Sequence, residues 1–431
     1  MQLRSFRWSF PALLCAGLSA PLTLALASPP GDSAAAPQGE TAPTFSALPA
    51  CAEKGVAWLV KAQHPDGGWG AGSHARQDLK DPHEVQTDPA TTAFTTMALL
   101  RIGHTPVSGE HKEVVRRAVQ HLVRVIEQAK DDGPRVTELQ GTQIQTKLGP
   151  LVDTAMTAQC LGRVLRLLPQ DDPLKNPVDA ALEKCVAKLQ RGQAQNGSWG
   201  GGGWAPVLQS SLATSALEVA QAAGKEVDRD RLEKAREYQK GNFDAGSGRA
   251  KGDDGAGIEL YGLAGAQRAA AGEAEAAREL VRKAKAEGKL AADAPVNETT
   301  LRQAGAAPEA AQRLAEANDQ NQAQLRRLDD EQLLAGFGNN GGEEYLSYTL
   351  TSEALVIAGG EPWFKWREKM EQRVAKVQNP DGSWSGHHCI TSPVFCTAAV
   401  LQCLTADRDA ELLRQIARDV QQQVAQPDAG R

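Results

Sequence analysis

Two short stretches of the sequence bring together side chains that could do chemistry. The first, GHHCIT, contains His387 and His388 next to Cys389, and the second, FGNNGGEEYLSY, contains Glu343 and Glu344. Imidazole and carboxylate groups that face one cavity can serve as an acid and a base, or can hold a metal ion. We therefore predict that Glu343, His387 and His388 are catalytic residues.

The residues beside them are predicted ligand contacts. Loops at the mouth of a rigid scaffold commonly carry binding residues, which points to Glu344, Tyr345 and Cys389. A structural interpretation stays open, because Glu343 and Glu344 would also complement the N-terminus of a helix while the two histidines bond locally. Adjacent side chains rarely ligate one tetrahedral ion well, so we assign no metal or other cofactor and keep zinc as an alternative.

These loops must be positioned by helices, because helical spacing runs through almost the whole sequence. Six segments rich in Ala and Thr suit helices that are packed on both sides, and six more charged segments suit outer helices with one apolar face. The predicted inner helices cover residues 91–103, 153–168, 210–224, 255–267, 345–360 and 392–404. The predicted outer helices cover residues 50–63, 109–129, 176–191, 228–240, 273–288 and 362–378.

A motif, Q-x-x-x-G-x-W, recurs at the ends of outer helices. Its members are Gln63, Gly67, Trp69, Gln193, Gly197, Trp199, Gln378, Gly382 and Trp384. A weakened copy, EQAKDDG, lies around Gln128, midway between the first two motifs. We interpret these residues as structural: Gln bonds free backbone groups at the helix end, Gly turns the chain, and Trp packs on the preceding repeat.

Six helix pairs predict an all-α domain over residues 48–425, closed into a ring with an inner and an outer layer. Closure removes the free ends that an open array would have to cap. An Ala-, Glu-, Gln- and Arg-rich run at about residues 291–340 interrupts the pattern. We interpret this run as a partly helical insertion that lies on the ring.

The motif, set between an amphipathic helix and a Thr/Ala-rich helix, resembles the QW repeat of squalene and hopene cyclases. Protein prenyltransferase β subunits are similar in sharing the same α/α-toroid. The resemblance extends from about Ala50 to Leu404. It implies an α/α-toroid of about six helical hairpins, in which the motif residues are structural.

The chemistry that the resemblance implies does not carry over residue by residue. The cyclase acid motif, Asp-x-Asp-Asp-Thr-Ala, is matched here by PLVDTA, where Pro150 and Val152 replace the proton donor and its neighbour. We predict that Asp153 is instead a helix N-cap. Aromatic residues, which stabilise carbocations, make up only 5% of the chain. The Asp-x-Cys zinc pattern of prenyltransferases is also absent, so neither polyene cyclisation nor prenyl transfer is expected.

The N-terminus has the layout of a cleavable secretory signal, with Arg4 and Arg7 before an apolar run that ends in Ala-Leu-Ala. We predict a signal peptide at 1–27, a flexible leader at 28–47, and an exported protein, periplasmic or secreted, with no transmembrane segment in the mature chain. Loss of the two arginines reduces the 47 basic residues to 45 against 53 acidic ones, which moves the net charge from −6 to −8. That charge argues against nucleic acid as a partner.

Six cysteines follow the predicted signal peptide, and an exported protein meets an oxidising environment that permits disulfides. Cys396 and Cys403 lie seven residues apart on one predicted helix, which is too far for a bridge. Cys389 would reach Cys51 if the first and last helix pairs meet. A ring-closing disulfide between them is therefore a hypothesis.

For function, the sequence favours a protein that binds an apolar or extended ligand in a central cavity without cyclase activity. One alternative is an enzyme, either terpenoid-modifying or similar to polysaccharide lyases and hydrolases, that uses Glu343, His387 and His388. Another is a scaffold for other proteins of the cell envelope, with residues 291–340 as the contact surface. The expected partner is accordingly a small apolar or extended ligand, or an envelope protein.

Overall fold

The described part of the chain is almost entirely helical. The computed structural model describes residues 47–425, with side chains described as far as residue 420. The predicted signal peptide (1–27) and nearly all of the predicted leader (28–47) lie outside the described residues. Within 47–425, no helix is long and apolar enough to cross a membrane.

Sixteen α-helices and one two-stranded hairpin are present in this range. The helices are α1 (Ala50–Lys61), α2 (Pro89–Ile102), α3 (Lys112–Gln128), α4 (Gln143–Leu148), α5 (Val152–Leu167), α6 (Lys175–Gly192), α7 (Pro206–Ala222), α8 (Arg229–Lys240), α9 (Glu259–Ala286), α10 (Glu298–Gln303), α11 (Pro308–Arg327), α12 (Glu331–Leu334), α13 (Gly342–Ala358), α14 (Glu361–Ala375), α15 (Pro393–Leu404) and α16 (Ala410–Ala425). The antiparallel strands are β1 (Phe243–Asp244) and β2 (Arg249–Ala250).

Six of these helices form a closed inner ring. Helices α2, α5, α7, α9, α13 and α15 pack in that order, and α15 packs against α2. Their surfaces are covered on every side; in α2, each residue from Pro89 to Arg101 is buried. Small and apolar side chains all around the helix permit this, because no face has to meet water. The closed ring confirms the predicted α/α-toroid.

An outer layer of α1, α3, α6, α8, α11 and α14 packs around the ring. These helices bury only one stripe, as an amphipathic sequence dictates. The buried residues of α3 recur at three- and four-residue intervals and are Val115, Ala118, Val119, Leu122, Val123 and Ile126. Burial of this stripe fixes the rotation of each outer helix about its own axis.

The fifth hairpin differs from the sequence prediction. The predicted outer helix at 273–288 does not form separately, because α9 continues without a break from Glu259 to Ala286. The Ala-rich run between the two predicted helices holds one glycine and no proline, so good helix formers carry the helix through the expected turn. Residues 291–340, interpreted as an insertion on the ring, contain α11, which packs along α9 and supplies the outer helix of this hairpin.

The three Q-x-x-x-G-x-W motifs make the same contacts. The Nε2 of Gln63 donates to the carbonyl of Gly67 in its own turn (2.9 Å) and to that of Val114 in the next outer helix, α3 (2.8 Å). Gln193 and Gln378 repeat both bonds, reaching α8 and α1 respectively. In each motif the Trp Nε1 donates to a carbonyl ten residues earlier, within the preceding outer helix. The glutamine thus joins successive outer helices, and Gln378 closes the outer layer onto α1.

Two predictions about the scaffold are wrong. The weakened motif copy does not form these contacts, since Gln128 is exposed at the end of α3. All six cysteines within the described residues are free thiols. Cys51 lies in α1 beside Gln378, whereas Cys389 lies beside Glu343, so the proposed ring-closing disulfide has no geometric basis.

A buried ion network fills the end of the ring where the inner helices finish. Arg163 of α5 and Arg101 of α2 reach Asp409, with Nε to Oδ2 distances of 2.9 Å and 3.1 Å. Arg268 of α9 lies 3.0 Å from Glu353 of α13, which also pairs with Arg101. Asp409 directly precedes α16, which packs on α7, α9 and α13. This end of the ring therefore holds paired charges and a helix, not an apolar cavity.

Candidate functional site

The predicted site residues gather at the opposite end of the ring, where the inner helices begin. We call this region the mouth: the first turns of α9, α13 and α15, helix α4, and the segments 336–341 and 385–392. Cap residues fix these starts. Ser392 accepts a hydrogen bond from the amide of Phe395 at the start of α15, and Pro393 is the first residue of that helix. Thr142 and Gln145 form a capping box at the start of α4.

Glu343 is a buried carboxyl group in the first turn of α13. It is only 3% exposed, and its Oε2 accepts a hydrogen bond from the amide of Ile390 (3.3 Å). Burial, and after it the charge of Glu344, raise the pKa of Glu343 to about 7. Much of this group is therefore protonated at neutral pH.

Glu344, the next residue, is in a contrasting environment. It is fully buried, yet its Oε1 accepts hydrogen bonds from the hydroxyl of Tyr261 (2.6 Å) and from the amide of Phe337 (3.0 Å). Its Oε2 lies 3.4 Å from Nε2 of His388. Burial alone would raise the pKa of Glu344, but His388, Tyr261 and the Phe337 amide outweigh it and lower the pKa. The environments of two adjacent carboxyl groups thus shift their pKa values in opposite directions.

The two histidines differ in exposure and in partners. Burial alone would lower the pKa of His388, but the Glu344 carboxylate outweighs burial and raises it. His387 is exposed, and its Nδ1 lies 2.7 Å from the carbonyl of Asn340. The ring of Phe337, 62% exposed, packs 5.0 Å from the His388 ring. Of the two, His388 contacts the Glu344 carboxylate, whereas His387 contacts the backbone of segment 336–341.

Cys389 sits between the histidines and Ile390 with a positive φ of 56°. Burial, followed by the charge of Glu343, raises the pKa of the Cys389 thiol to about 11. The thiolate, which is the form that attacks or ligates zinc, is therefore disfavoured at neutral pH. This environment suits a neutral thiol beside Glu343.

Tyr345, predicted as a ligand contact, does not join the mouth. Its ring packs edge-on against Tyr348 (6.3 Å between centroids) and lines a cleft with Lys369 and Arg373 of α14. One helical position rotates the side chain by about 100°, so consecutive residues of α13 cannot all face the same cavity. Glu343 and Glu344 lie at the mouth, whereas Tyr345 faces the outer layer.

A glycine-rich segment, residues 336–341, covers the carboxylates. A Cβ atom on Gly341 would lie 2.7 Å from Glu344 Oε2 and 2.8 Å from the His388 ring, and one on Gly338 would lie 2.8 Å from the His387 ring. Gly336 has a φ of 58° and lies equally close to Glu344. The absence of side chains at these positions lets the backbone pass directly over the site.

Three further residues at the mouth were missed by sequence reasoning. Tyr261 belongs to α9 and bonds Glu344, as described above. Lys147 of α4 is 5% exposed, and its Nζ lies 4.0 Å from the centre of the Trp204 ring. Trp204 is 61% exposed and follows a run of four glycines, a signal that could have identified it as a loop aromatic.

A second carboxylate pair, Asp88 and Asp153, lies buried inside the ring. Asp153 was predicted to cap its own helix, but Leu151 holds that position; Asp153 accepts hydrogen bonds from the amide of Ala90 in α2 (3.1 Å) and from Gln145 (2.7 Å). Asp88 caps α2. Burial, together with the Asp153 charge, raises the pKa of Asp88. Both carboxylates accept hydrogen bonds from amides at the N-terminus of α2, so we interpret this pair as structural.

The described side chains contain one cluster with metal-ligand geometry, Glu233, Glu237 and Glu273, on the outer face of the ring. Lys240 lies 2.7 Å from Glu237 and 2.7 Å from Glu273, and Arg313 lies 2.9 Å from Glu233. These cations already neutralise the carboxylates. The cluster therefore offers no cation site.

Comparison with protein families confirms the resemblance to the cyclase repeat proteins. Residues 46–143 match the family described as squalene-hopene cyclase C-terminal domain. This segment contains the first motif, with Gln63, Gly67 and Trp69, and the helices α1 to α3. A comparison with curated proteins finds no match.

Solved structures show the same fold at low sequence identity. An inactive variant of an α-1,6-mannanase from Salegentibacter sp. HEL1_6, in complex with α-1,6-mannotriose, is 10% identical, with 84% of this chain and 98% of that chain covered and a TM-score of 0.50. A variant of a type II terpene cyclase from Scytonema, in complex with its product merosterolic acid A, is 14% identical, with 84% and 96% covered and a TM-score of 0.44. The likeness to the mannanase establishes the α/α-toroid and not the activity.

Proposed function

We propose that the protein is an exported polysaccharide-active enzyme whose mouth cleaves an extended glycan by general acid–base chemistry. Glu343 is the acid, and Glu344 with His388 forms the base. Export rests on the predicted signal peptide, and no cofactor is required by this chemistry. Among the functions that the sequence left open, this one uses the largest number of groups found at the mouth.

The observation that carries the proposal is the contrast between two neighbouring carboxyl groups, of which only Glu344 contacts His388, Tyr261 and the Phe337 amide. Burial raises the pKa of Glu343 to about 7, while His388, Tyr261 and the Phe337 amide lower that of Glu344 against the effect of burial. Carboxyl pairs whose pKa values are driven apart are typical of acid–base sites, in which one member donates a proton and the other remains charged. Structural salt bridges do not require this asymmetry.

In hydrolysis, the protonated Glu343 would give its proton to the glycosidic oxygen as the bond from that oxygen to the sugar carbon breaks. A water molecule adds to the sugar carbon and loses a proton to Glu344, whose charge is supported by His388. The exposed rings of Phe337 and Trp204 offer flat faces for sugars on either side. Both carboxyl groups are covered by residues 336–341, so this segment must move for substrate to enter.

The mannanase comparison supports a carbohydrate as the substrate class. That protein is inactivated by exchange of two consecutive aspartates and is seen with a bound mannotriose. The present chain also carries two consecutive carboxylic residues, Glu343 and Glu344, at the start of an inner helix. The likeness is one of fold, and the correspondence of the two pairs is part of the proposal.

A second candidate function is binding of the extended ligand without turnover. The observation that favours it is the burial of Glu343 and Glu344, of which 3% and 0% are exposed. In that case Phe337 and Trp204 hold the ligand at the surface and the carboxylates anchor segment 336–341. The apolar central cavity expected from the sequence is less well supported, because charged pairs fill the far end of the ring.

The test is a panel of purified polysaccharides incubated with the mature protein. Reducing ends report hydrolysis, ultraviolet absorbance of unsaturated ends reports elimination, and calorimetry on the same glycans reports binding. Glu343→Gln and Glu344→Gln should abolish turnover, whereas Glu361→Gln, which removes an exposed carboxylate paired with Lys365, should not. Binding without turnover in the wild-type protein would favour the second candidate. If no glycan is bound or cleaved, both candidates are overturned.

A further inference from the structure

The mouth contains a lysine, Lys147, whose side chain is largely buried and whose ammonium group has no anionic partner in the described structure. Within the described residues, Lys147 and Lys188 are the buried lysines. Lys188 donates to the carbonyl oxygens of three residues in the loop after α3. Lys147 makes no such bond and no ion pair with a carboxylate; its Nζ lies over the ring of Trp204. An ammonium group at such a site normally has hydrogen-bond acceptors, and an aromatic face replaces them only in part.

A second donor on the same face of α4 is also unsatisfied. Gln143 lies four residues before Lys147, which places both side chains on one side of the helix. Its Oε1 accepts hydrogen bonds from the amides of Thr391 (2.7 Å) and Ser392 (3.1 Å). Its Nε2 is buried and has no partner among the described groups. Two donors of α4 therefore lack an acceptor in the described structure, and one of them belongs to a side chain that contacts segment 385–392.

The charge of Lys147 acts on the candidate site itself. It acts to lower the pKa values of His388, Cys389 and His74, so the field of the ammonium group reaches all three side chains. Lys80 adds a second cation on this side, with its Nζ 3.1 Å from the carbonyl of Thr391. Although the whole chain carries a net charge of −6, two lysines thus lie on this side of the mouth.

Trp204 is held where it can contact a ligand next to Lys147. The amides of Trp204 and Ala205 both donate to the carbonyl of Lys147, at 2.9 Å and 2.8 Å. Gly203, with a φ of 86°, allows this approach, because a Cβ atom there would lie 2.7 Å from the backbone of Leu148. Lys147 covers one face of the indole ring and leaves the other face open to solvent.

From these contacts we propose that Lys147, Gln143 and Trp204 form a subsite for a uronic acid, so that the mouth selects a carboxylate-bearing polysaccharide. The sugar carboxylate accepts hydrogen bonds from Lys147 Nζ and Gln143 Nε2, while a neighbouring sugar ring stacks on the free face of Trp204. An ammonium group has three N–H donors, so those not directed at the indole ring stay available. This inference rests on the proposed glycan function and specifies its substrate class.

The experiment measures calorimetric binding of three hexasaccharides to the full mature protein carrying Glu343→Gln, which prevents turnover. The probes are an oligogalacturonate, a neutral oligomannoside and a sulfated neutral oligosaccharide. The oligogalacturonate should bind about tenfold or more tightly than the neutral probe, as expected for one charge-assisted contact. Lys147→Met should remove this preference, and Lys147→Arg should keep most of it.

Matched controls separate the subsite from general effects of charge and aromatic surface. Lys365→Met removes an exposed lysine of α14 and should leave all affinities unchanged. Trp204→Ala should weaken binding of every glycan, whereas Phe364→Ala, which removes an equally exposed ring, should not; the two side chains are 61% and 62% exposed. Thermal unfolding of each variant identifies any that fail to fold, and Lys147→Arg keeps the charge if Lys147→Met does not fold.

The outcomes distinguish this inference from the function on which it rests. Equal binding of the neutral and acidic probes, or an unchanged preference in Lys147→Met, overturns the uronate subsite and leaves the glycan function in place. Tight binding of the sulfated probe alone overturns the assignment to a carboxylate. Failure of all three probes and of the wider glycan panel overturns the proposed function itself.

Discussion

Nε2 of His388 lies 3.4 Å from Oε2 of Glu344, so the segment before α15 is joined electrostatically to the first turn of α13. The pKa of the histidine is raised and that of the glutamate is lowered, in each case against the effect of burial. Among the described side chains, Glu343, one position earlier, has no cationic partner at this distance, and its pKa rises to about 7. The contact with His388 thus gives Glu344 a different environment from the adjacent Glu343.

Glu343→Gln should change the pH dependence of stability as well as abolish turnover. For an acid whose pKa is raised in the folded state, the folded protein holds the proton more tightly, so stability falls as pH rises from the ordinary value of 4.5 to about 7. The loss from this residue is on the order of 3 kcal/mol. Urea unfolding from about pH 4 to pH 9 should show a flatter profile for the variant.

The matched control for this measurement is Glu361→Gln, which replaces an exposed glutamate of α14 and should keep the wild-type profile. An identical pH dependence in wild-type protein and Glu343→Gln would show that Glu343 is not protonated at neutral pH. The acid role proposed for it would then be untenable.

His388→Gln should destabilise the protein most in mildly acidic solution. The raised pKa of His388 contributes stability that is complete below about pH 6.5 and is lost as pH rises through the folded value. The lowered pKa of Glu344 contributes stability that is present above about pH 4.5 and is lost as pH falls through its folded value. Both contributions are therefore present at about pH 5 to 6, where the variant should lose about 1–3 kcal/mol.

His83→Gln provides the comparison, because the His83 ring contacts the backbone carbonyl of Lys61 (3.2 Å) and no carboxylate. Its effect on unfolding should be small at every pH. A loss in His388→Gln that is equally large at about pH 9 would mean that packing, and not the ion pair, holds His388 in place.

Gly341→Ala should disturb the site by steric contact alone. The φ of Gly341 is −153°, which any residue can adopt, but a Cβ atom there would lie 2.7 Å from Glu344 Oε2 and 2.8 Å from the His388 ring. The displaced imidazole can no longer stabilise the charge of Glu344, so the pKa of Glu344 should rise. Glycan turnover should therefore fall by roughly tenfold or more. Gly200→Ala is the control, because a Cβ atom on Gly200 meets nothing closer than 3.8 Å. Unchanged turnover in Gly341→Ala would place the chemistry elsewhere.

The ring itself could be predicted because its signals are local and repeated. The motif at Gln63, Gln193 and Gln378 marks the same turn three times, and the Ala- and Thr-rich inner helices are recognisable by composition. The predicted break between the fourth inner helix and the fifth outer helix does not occur, since propensity favours helix across the whole of Glu259–Ala286. Only the packing of α11 along α9 shows that α11, and not the second half of α9, supplies the outer helix of the fifth hairpin.

The site was predicted in part for a related reason. Glu343, Glu344 and His388 stand near one another in sequence or in adjacent loops, so their meeting follows once the ring is assumed. Lys147 and Tyr261 reach the mouth from α4 and α9, and no sequence pattern links them to His388. Side-chain direction decides the remainder: one position along α13 separates Glu344 from Tyr345, and a two-residue shift at the start of α5 gives Leu151 the cap position expected for Asp153.

Gln378→Ala should loosen the closure of the outer layer. The side chain loses two hydrogen bonds of 2.8 Å, one to Gly382 and one to Cys51 in α1, for a loss of about 2 kcal/mol in the free energy of unfolding. Amides of α1 should exchange faster with solvent, because this bond joins the last hairpin to the first. Gln193→Ala should lower the free energy of unfolding by a similar amount without affecting exchange in α1. Gln128→Ala, in the exposed copy of the motif, should leave the free energy of unfolding unchanged. Equal effects of all three would mean that the motif glutamines do not join neighbouring helices.

Asp409→Asn should release α16 from the far end of the ring. Burial would raise the pKa of Asp409, but Arg163 and Arg101 outweigh it and lower the pKa to about 2. Because the pKa of Asp409 is lowered in the folded state, its carboxylate stabilises the fold above about pH 3.8, and this stabilisation is lost as pH falls towards 2. Loss of one partner from a buried ion network costs about 3–5 kcal/mol, because two guanidinium groups remain without full compensation.

Asp407→Asn is the matched control, since Asp407 lies two residues earlier and forms no ion pair within residues 47–420. Hydrogen exchange should increase in α16 for Asp409→Asn and stay unchanged for Asp407→Asn. Because the three arginines of the network come from α2, α5 and α9, the inner helices should also lose stability at their C-terminal turns, while the mouth, at the other end of the same helices, keeps its pKa values. If α16 exchanges as slowly in Asp409→Asn as in the wild-type protein, apolar packing on α7, α9 and α13 holds it, and the ion network serves the ring alone.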